Sequence, residues 1–469
     1  MRSAKVQALK ARYIGDKAFY LSVVALLVPM VVQQGITQFV SLLDNVMVGR
    51  LGTIPMSAVA IVNQVVFIFN LTVFGGMSGA SIFGAQYYGK KDDAGLRDTV
   101  RFRVYFAIGI SALGVLLLLG YGQSFCQLFL NSQASTPQEI AQTLDLAGTY
   151  LRVIVWGLPP FALSVCFSSA LRNASETVIP MTASVISIFV NLILNWLLIF
   201  GVLGFPKMGV AGAALATVIA RYVELLYLLV QSMRHTARFP FLKGLFRSAR
   251  VPLPLVRRIA VTGTPLMLNE ALWSVSTSLV QVCYASRGLA AVAASNINGT
   301  VFNLFALLMM SMGDAVGIMV GQQLGANDME RAKSTVRKLL VFGVGLNAVV
   351  GLGLIFCAPF IPLIYNTEPA VRDLAAQMMV ISGFMMPWGT ATNCAYFTIR
   401  SGGRTFITFL FDCVFNWAVC LPLAYVLCYH TAIGVVGAFL LVQCADLLKC
   451  FIGMAMLKSG IWAKNVVNG

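Results

Sequence analysis

Charge is what this chain of 469 residues has least of: 33 Lys or Arg and 17 Asp or Glu, or 11% in all, against 58% apolar residues. Soluble domains are about a quarter charged and about half apolar. With a mean hydropathy of +0.83, a water-soluble globular domain is excluded, and so is disorder. Histidine is nearly missing. The two present, His235 and His430, fall near the ends of apolar runs, which argues against a His-based metal or acyl-transfer centre. Ten cysteines include no CxxC pair. Most of them (Cys166, Cys283, Cys357, Cys413, Cys420, Cys444) lie in apolar runs, where free Cys behaves as a small hydrophobe. Neither a disulfide framework nor a metal site is indicated.

What is present is long apolar runs. A membrane helix needs about 20 apolar residues. Charged, Pro-rich or Gly-rich breaks mark off runs at 18–47, 54–87, 101–122, 142–171, 177–202 and 209–231. A basic connector, 232–256, follows, and then runs at 258–285, 289–323, 336–365, 371–400, 404–428 and 433–458. The fold class expected is an all-α membrane protein with twelve transmembrane helices. Arg2, Lys5, Lys10, Arg12 and Lys17 precede a first run too long for a cleaved signal, which reads as a retained helix.

The formal net charge of +16 would suggest nucleic acid in a soluble chain. Here basic residues gather between apolar runs, the pattern that orients membrane helices, so no nucleic-acid partner is expected. With the N-terminus inside, the inward segments hold Lys90, Lys91, Arg97, Arg101 and Arg103, then Arg234, Arg238, Lys243, Arg247 and Arg250, then Arg331, Lys333, Arg337, Lys338, Arg404, Lys458 and Lys464. Outward loops hold Arg50, Lys207, Arg287 and Arg372. Both termini are expected to be cytoplasmic, in a multi-pass protein of the cell (inner or plasma) membrane.

The chain nearly repeats itself. PMVVQQ (29–34) matches PLMLNE (265–270), and QYYGKKDDAGLRDTV (86–100) matches QQLGANDMERAKSTV (322–336), both 236 positions apart. LRNASET matches IRSGGRT, and GVAGAALA (209–216) matches GVVGAFLL (434–441). Each half holds six runs, an even number, so the halves share one orientation and are related by a pseudo-two-fold axis along the membrane normal. The expected organisation is a six-helix lobe at 1–231, the connector at 232–256 and a second six-helix lobe at 257–469. Such duplication is a carrier design. The bland alternative is a duplicated receptor or membrane enzyme, though no His, Cys or Ser constellation supports an enzyme.

Five acids lie well inside apolar runs: Asp44, Glu270, Asp314, Asp412 and Asp446. A charge there costs several kcal/mol unless paired or neutralised, so such residues are functional candidates by default. A carboxyl withdrawn from water favours its protonated form, which suits proton coupling; with amide and hydroxyl oxygens beside it, a carboxylate would instead hold Na+. Asp44 stands with Asn191, Asn195 and Thr217 as a candidate cation or proton pocket, Asn191 and Asn195 sharing one helix face at i and i+4. The competing reading is interhelical hydrogen bonding. Glu270 repeats the position of Gln34, each five residues after a proline (Pro265, Pro29) able to bend its helix. Gln34, Asn63, Glu270 and Asp412 are candidates for the substrate cavity, and Glu270 also for coupling. Asp446 and its repeat counterpart Arg221 read as solvated residues near the cytoplasmic end.

Together these segments resemble the multidrug and toxic compound extrusion (MATE) family over essentially all twelve runs. The marks are LLDNVMVGRLG, GAQYYGKKD and GQQLGAND, LRNASET with IRSGGRT, NLILNWLLIFG and GVAGAALAT. The resemblance implies two six-helix lobes around a central cavity that opens alternately to either side. It implies efflux of small organic, often cationic, drugs or toxic metabolites by antiport with H+ or Na+, with no other cofactor, in a monomer. It maps Asp44 onto the family's first-helix acid, Pro29 onto the bend of that helix and Asn191 onto the same pocket. Where this chain has Asn195 the family often has Asp, and a tenth-helix Asp of the sodium-coupled branch falls near Gly389. H+ is therefore the favoured coupling ion. The alternatives are a lipid-linked precursor flippase of the same superfamily and a carrier with inverted repeats inside each half. The loop placement of the basic residues counts against the first, and the lack of a nested repeat against the second.

Overall fold

The computed structural model describes residues 13–127, 137–248, 250–365 and 367–468. The basic residues Arg2, Lys5, Lys10 and Arg12 lie outside the described residues. No strand occurs among the described residues. The helices, in chain order, are α1 (Lys17–Gly49), α2 (Thr53–Lys90), α3 (Asp93–Gln127), α4 (Pro137–Asn173), α5 (Val178–Phe200) and α6 (Val210–Arg234). Then come α7 (Leu253–Ala285), α8 (Leu289–Phe305 with Leu307–Gly325), α9 (Met329–Cys357), α10 (Pro369–Ser401), α11 (Thr405–His430) and α12 (Val435–Ser459).

Nine of these are long and apolar enough to cross a membrane, among the described residues, and α8 is a tenth if its two segments, bent by 46°, count as one span. The others, α7 and α10, are each 33 residues long. Their polar content sets them apart: Arg257, Arg258, Asn269 and Glu270 on α7, and Thr390, Asn393 and Arg400 on α10. Large apolar side chains such as Leu116, Val349 and Phe356 stand exposed along the helices, as lipid-facing residues do.

The internal repeat persists in the helix ends. Helices α1 and α7 are both 33 residues and begin 236 positions apart, at Lys17 and Leu253. Helices α6 and α12 are both 25 residues and begin 225 positions apart, at Val210 and Val435. Side chains can therefore be compared position by position between the halves.

Contacts group the chain into two compact units: Val32–Gly84 with Asp93–Ile259, and Met1–Val31 with Ala85–Asp92 and Ala260–Gly469. Helix α1 runs unbroken through Pro29 and passes from one unit to the other two residues later. In the second unit, Val23, Leu26, Leu27 and Met30 recur at helical spacing and pack on Met312, Ala315, Val316 and Val320 of α8. Gln86 is buried there, donating from Nε2 to Ser401 O at 2.8 Å and accepting from Val466 N at 2.7 Å.

In the first unit the connector docks by its carbonyls. Arg97 Nε donates to Phe241 O at 3.2 Å and Arg101 Nε to Leu245 O at 2.8 Å. Arg238 pairs with Glu176 at 2.6 Å, and Glu176 in turn accepts from Val178 N and Ile179 N at the start of α5. Arg103 departs from expectation. It is not a loop cation: α3 runs from Asp93 to Gln127, and Arg103 lies inside it. It is fully buried and donates to Ala80 O at 2.8 Å and Ser169 Oγ at 3.2 Å.

Small residues bring α5 and α6 together, as membrane helices require without a hydrophobic drive between them. A Cβ added at Gly212 would come within 2.6 Å of Leu198 O. Gly212→Ala is expected to push the pair apart at a cost of about 1–3 kcal/mol. A fall in the melting temperature of the detergent-solubilised protein checks this; an unchanged melting temperature would count against the close approach.

Candidate functional site

A cavity of about 420 Å³ opens within the first unit. Helix α1 contributes Asp44, α2 contributes Asn63, α5 contributes Asn191 and Asn195, and α6 contributes Thr217. Four residues singled out as a cation pocket therefore do converge. Asn195 Nδ2 donates to Asp44 Oδ1 at 2.7 Å and to Asn191 Oδ1 at 3.1 Å. Asn191 Nδ2 donates to Thr217 Oγ1 at 3.2 Å, and Thr217 donates on to Ala213 O at 3.1 Å.

The Asn191 amide fits in two orientations. With its nitrogen turned inward it donates to Asp44 Oδ1 at 3.0 Å and accepts from Thr217 Oγ1. Asn195 Oδ1 is also buried with no hydrogen-bond partner among the described residues. The pocket is thus built of oxygen acceptors around one carboxylate, and it can be closed by amide hydrogen bonds or by an incoming cation. Val59, Phe67, Ile154 and Phe161 add an apolar wall suited to an organic ligand.

Two further charged residues line this cavity. Arg221 and Glu224 on α6 are 3.6 Å apart, and the Arg221 guanidinium lies over the Phe161 ring at 4.6 Å from its centre. Glu224 accepts from Ser184 Oγ at 2.8 Å, and Ser184 accepts from Gln33 Nε2 at 2.7 Å. Arg221 is therefore a cavity residue rather than a solvated cytoplasmic one. Glu224 and Gln33 went unnoticed in the sequence, where the i,i+3 spacing of Arg221 and Glu224 looks like an ordinary pair at a helix end. Gln34, the candidate next to Gln33, is outside the cavity lining.

The remaining candidates lie in the second unit. Asn269 Nδ2 donates to Asp412 Oδ2 at 2.9 Å and to Tyr396 Oη at 3.3 Å. Asp412 forms a salt bridge with Lys449 of α12. Glu270 is partly buried and sits in the fields of Arg400 and Asp412. Asp446 also belongs here, with Cys420 Sγ 3.9 Å from its Oδ1, and not among solvated end residues. Lys449 is the residue the sequence reading missed. Its signal was its place 225 positions after Glu224.

The comparisons follow the same pattern. The MatE family profile matches residues 29–197 and 265–429. A Bacillus subtilis (strain 168) protein described as probable multidrug resistance protein YoeA is 27% identical over 420 residues, covering 88% of each chain. A Thermotoga maritima protein described as probable multidrug resistance protein NorM is 24% identical over 426 residues, covering 90% of this chain and 89% of its own. Among solved structures, one described as the outward-facing conformation of a multidrug resistance MATE family transporter superposes with a TM-score of 0.84 at 17% identity, covering 94% of this chain and 96% of its own. A second, a MOP superfamily transporter from Pyrococcus furiosus, gives 0.83 at 18%, covering 97% of this chain and 98% of its own; its description proposes a different function from a reversed pocket polarity. At these identities the likeness to solved structures is one of fold.

Asn195→Asp would place two carboxylates at the 2.7 Å separation now spanned by the Asp44 hydrogen bond. Like charges that close need a cation or a proton between them. The variant is expected to melt at a higher temperature as NaCl replaces an inert organic salt, and as pH falls. Unfolding indifferent to both would show that the two side chains do not share a site.

Proposed function

The chain belongs to the MatE family, and from that premise we propose that it is a secondary active antiporter. It exports small organic, mostly cationic, drugs or toxic metabolites across the cell membrane by alternating access, in exchange for H+ or Na+. The observation that carries the reading is Asp44. It lies among buried amides and a hydroxyl, while Arg221, the basic residue lining the same cavity, is turned to Glu224. A carboxylate in that setting is neutralised by whatever enters.

Cation entry would protonate or ligate Asp44 and replace its hydrogen bonds to α5. Substrate affinity then falls if the loaded pocket favours the outward-open state, which is the differential binding any exchange requires. H+ is favoured over Na+. One carboxylate, with Asn195 where the family often carries Asp, exchanges a proton more readily than it cages a hard cation. Asn63, which lines the Asp44 cavity, and Glu270 and Asp412 of the second unit complete the proposed substrate-facing polar groups; Gln34, outside that lining, is not among them. Twelve spans, cytoplasmic termini and a monomeric protein needing no further cofactor belong to the same reading, supported by the duplicated helix pattern and the loop distribution of Lys and Arg.

The test is dye extrusion from an efflux-deficient strain under imposed H+ or Na+ gradients. Asp44→Asn is expected to reduce gradient-driven extrusion about tenfold or more, the scale of a coupling of about 1–3 kcal/mol. If Asp44→Asn and Glu270→Gln both extrude at the parental rate, the coupling assignment is wrong.

A further inference from the structure

The i,i+3 charge pair on the last helix of each half runs in opposite order. Arg221 and Glu224 of α6 correspond, 225 positions on, to Asp446 and Lys449 of α12. Their surroundings correspond too. Gln33 of α1 is matched by Asn269 of α7 at the 236 offset of those helices. In the first half Gln33 reaches the acid Glu224 through Ser184. In the second, Asn269 reaches the acid Asp412, and an ammonium stands at the position of Glu224.

Lys449 is 6% exposed. It bridges Asp412 and lies in the field of Asp446. Around them stand Asn269, Glu270, Tyr396, Arg400 and Cys420, with Cys413 and Tyr284 also in their fields and the Phe411 ring 5.6 Å from the Lys449 ammonium. Asn269 is 2% exposed, and its Oδ1 has no hydrogen-bond partner among the described residues. Asp412 lies in a π-helical turn, Leu410–Val414. Such turns shift side chains out of register and are frequent at functional sites. Two carboxylates and an unpartnered amide oxygen form the kind of oxygen-rich set that holds a small hard cation, and an ammonium with three donors fills it equally well.

We propose that Lys449 is a tethered cation occupying a monovalent-cation site of the second half, which leaves the Asp44 pocket to supply the one exchangeable cation. That second clause rests on the function proposed above; the occupancy of the second-half site by Lys449 does not.

The test uses the full-length protein in detergent at alkaline pH. Thermal unfolding is followed as NaCl or methylammonium chloride replaces N-methylglucamine chloride at constant ionic strength. With Asp44→Asn alone, the melting temperature is expected to be indifferent to either cation. Asp44→Asn with Lys449→Gln is expected to gain a saturable upward shift of several degrees, and adding Asp412→Asn to abolish it. If Lys449→Gln does not fold, the charge-balanced pair Lys449→Gln with Asp446→Asn keeps Asp412 and should gain the same shift. No shift in either variant, a shift that survives Asp412→Asn, or cation sensitivity already present in Asp44→Asn would each overturn the proposal. The parental protein's own response reads the Asp44 pocket, where indifference to both cations is what a proton-selective carboxylate gives; a shift gained on losing Lys449 upholds the tether in either case.

Discussion

A carboxylate inside an apolar helix bundle must be neutralised, because leaving it charged and alone costs several kcal/mol. The two halves of this chain meet that constraint in different ways. Asp412 is bridged by Lys449, and Glu224 has Arg221 beside it. Asp44 is met by the amides of Asn195 and Asn191. Amides stabilise a carboxylate without cancelling its charge. On the function proposed above, the neutralising partner of Asp44 is mobile, as an exchanger needs.

The scaffold allows this asymmetry because it is duplicated. The first and last helices of each half keep their lengths, so residues on α1 and α6 can be set against those on α7 and α12 position by position. Small residues hold α5 against α6 closely enough for Asn191 to reach Thr217. Against that constant frame, an acid at Glu224 and a base at Lys449 are alternatives at one position, and the order of charges on α6 is reversed on α12.

Much of this was legible in the sequence. The apolar runs foretold an all-helical membrane chain, and the 236 and 225 offsets reappear in the helix ends. Asp44, Asn191, Asn195 and Thr217 were found because i,i+4 spacing and the cost of a buried acid point the same way. What stayed hidden was pairing between helices. Nothing local marks Lys449 as the partner of Asp412, or Gln33 rather than Gln34 as the partner of Ser184. The π-helical turn at Asp412 has no sequence signature either. Arg103 was counted with the loop cations although it falls at the start of the 101–122 run, and α3 begins ten residues before it, at Asp93.

On the function proposed above, a cation arriving at Asp44 drives export. Purified protein in sealed liposomes, loaded on one side with a transported organic cation, tests it directly. Ion movement is recorded with a pH-sensitive dye and with radioactive sodium. The substrate gradient is expected to pull H+, or failing that Na+, in the opposite direction, and Asp44→Asn to abolish the counterflow. Substrate leaving the liposomes with no opposing movement of either ion, or counterflow undiminished in Asp44→Asn, would contradict it.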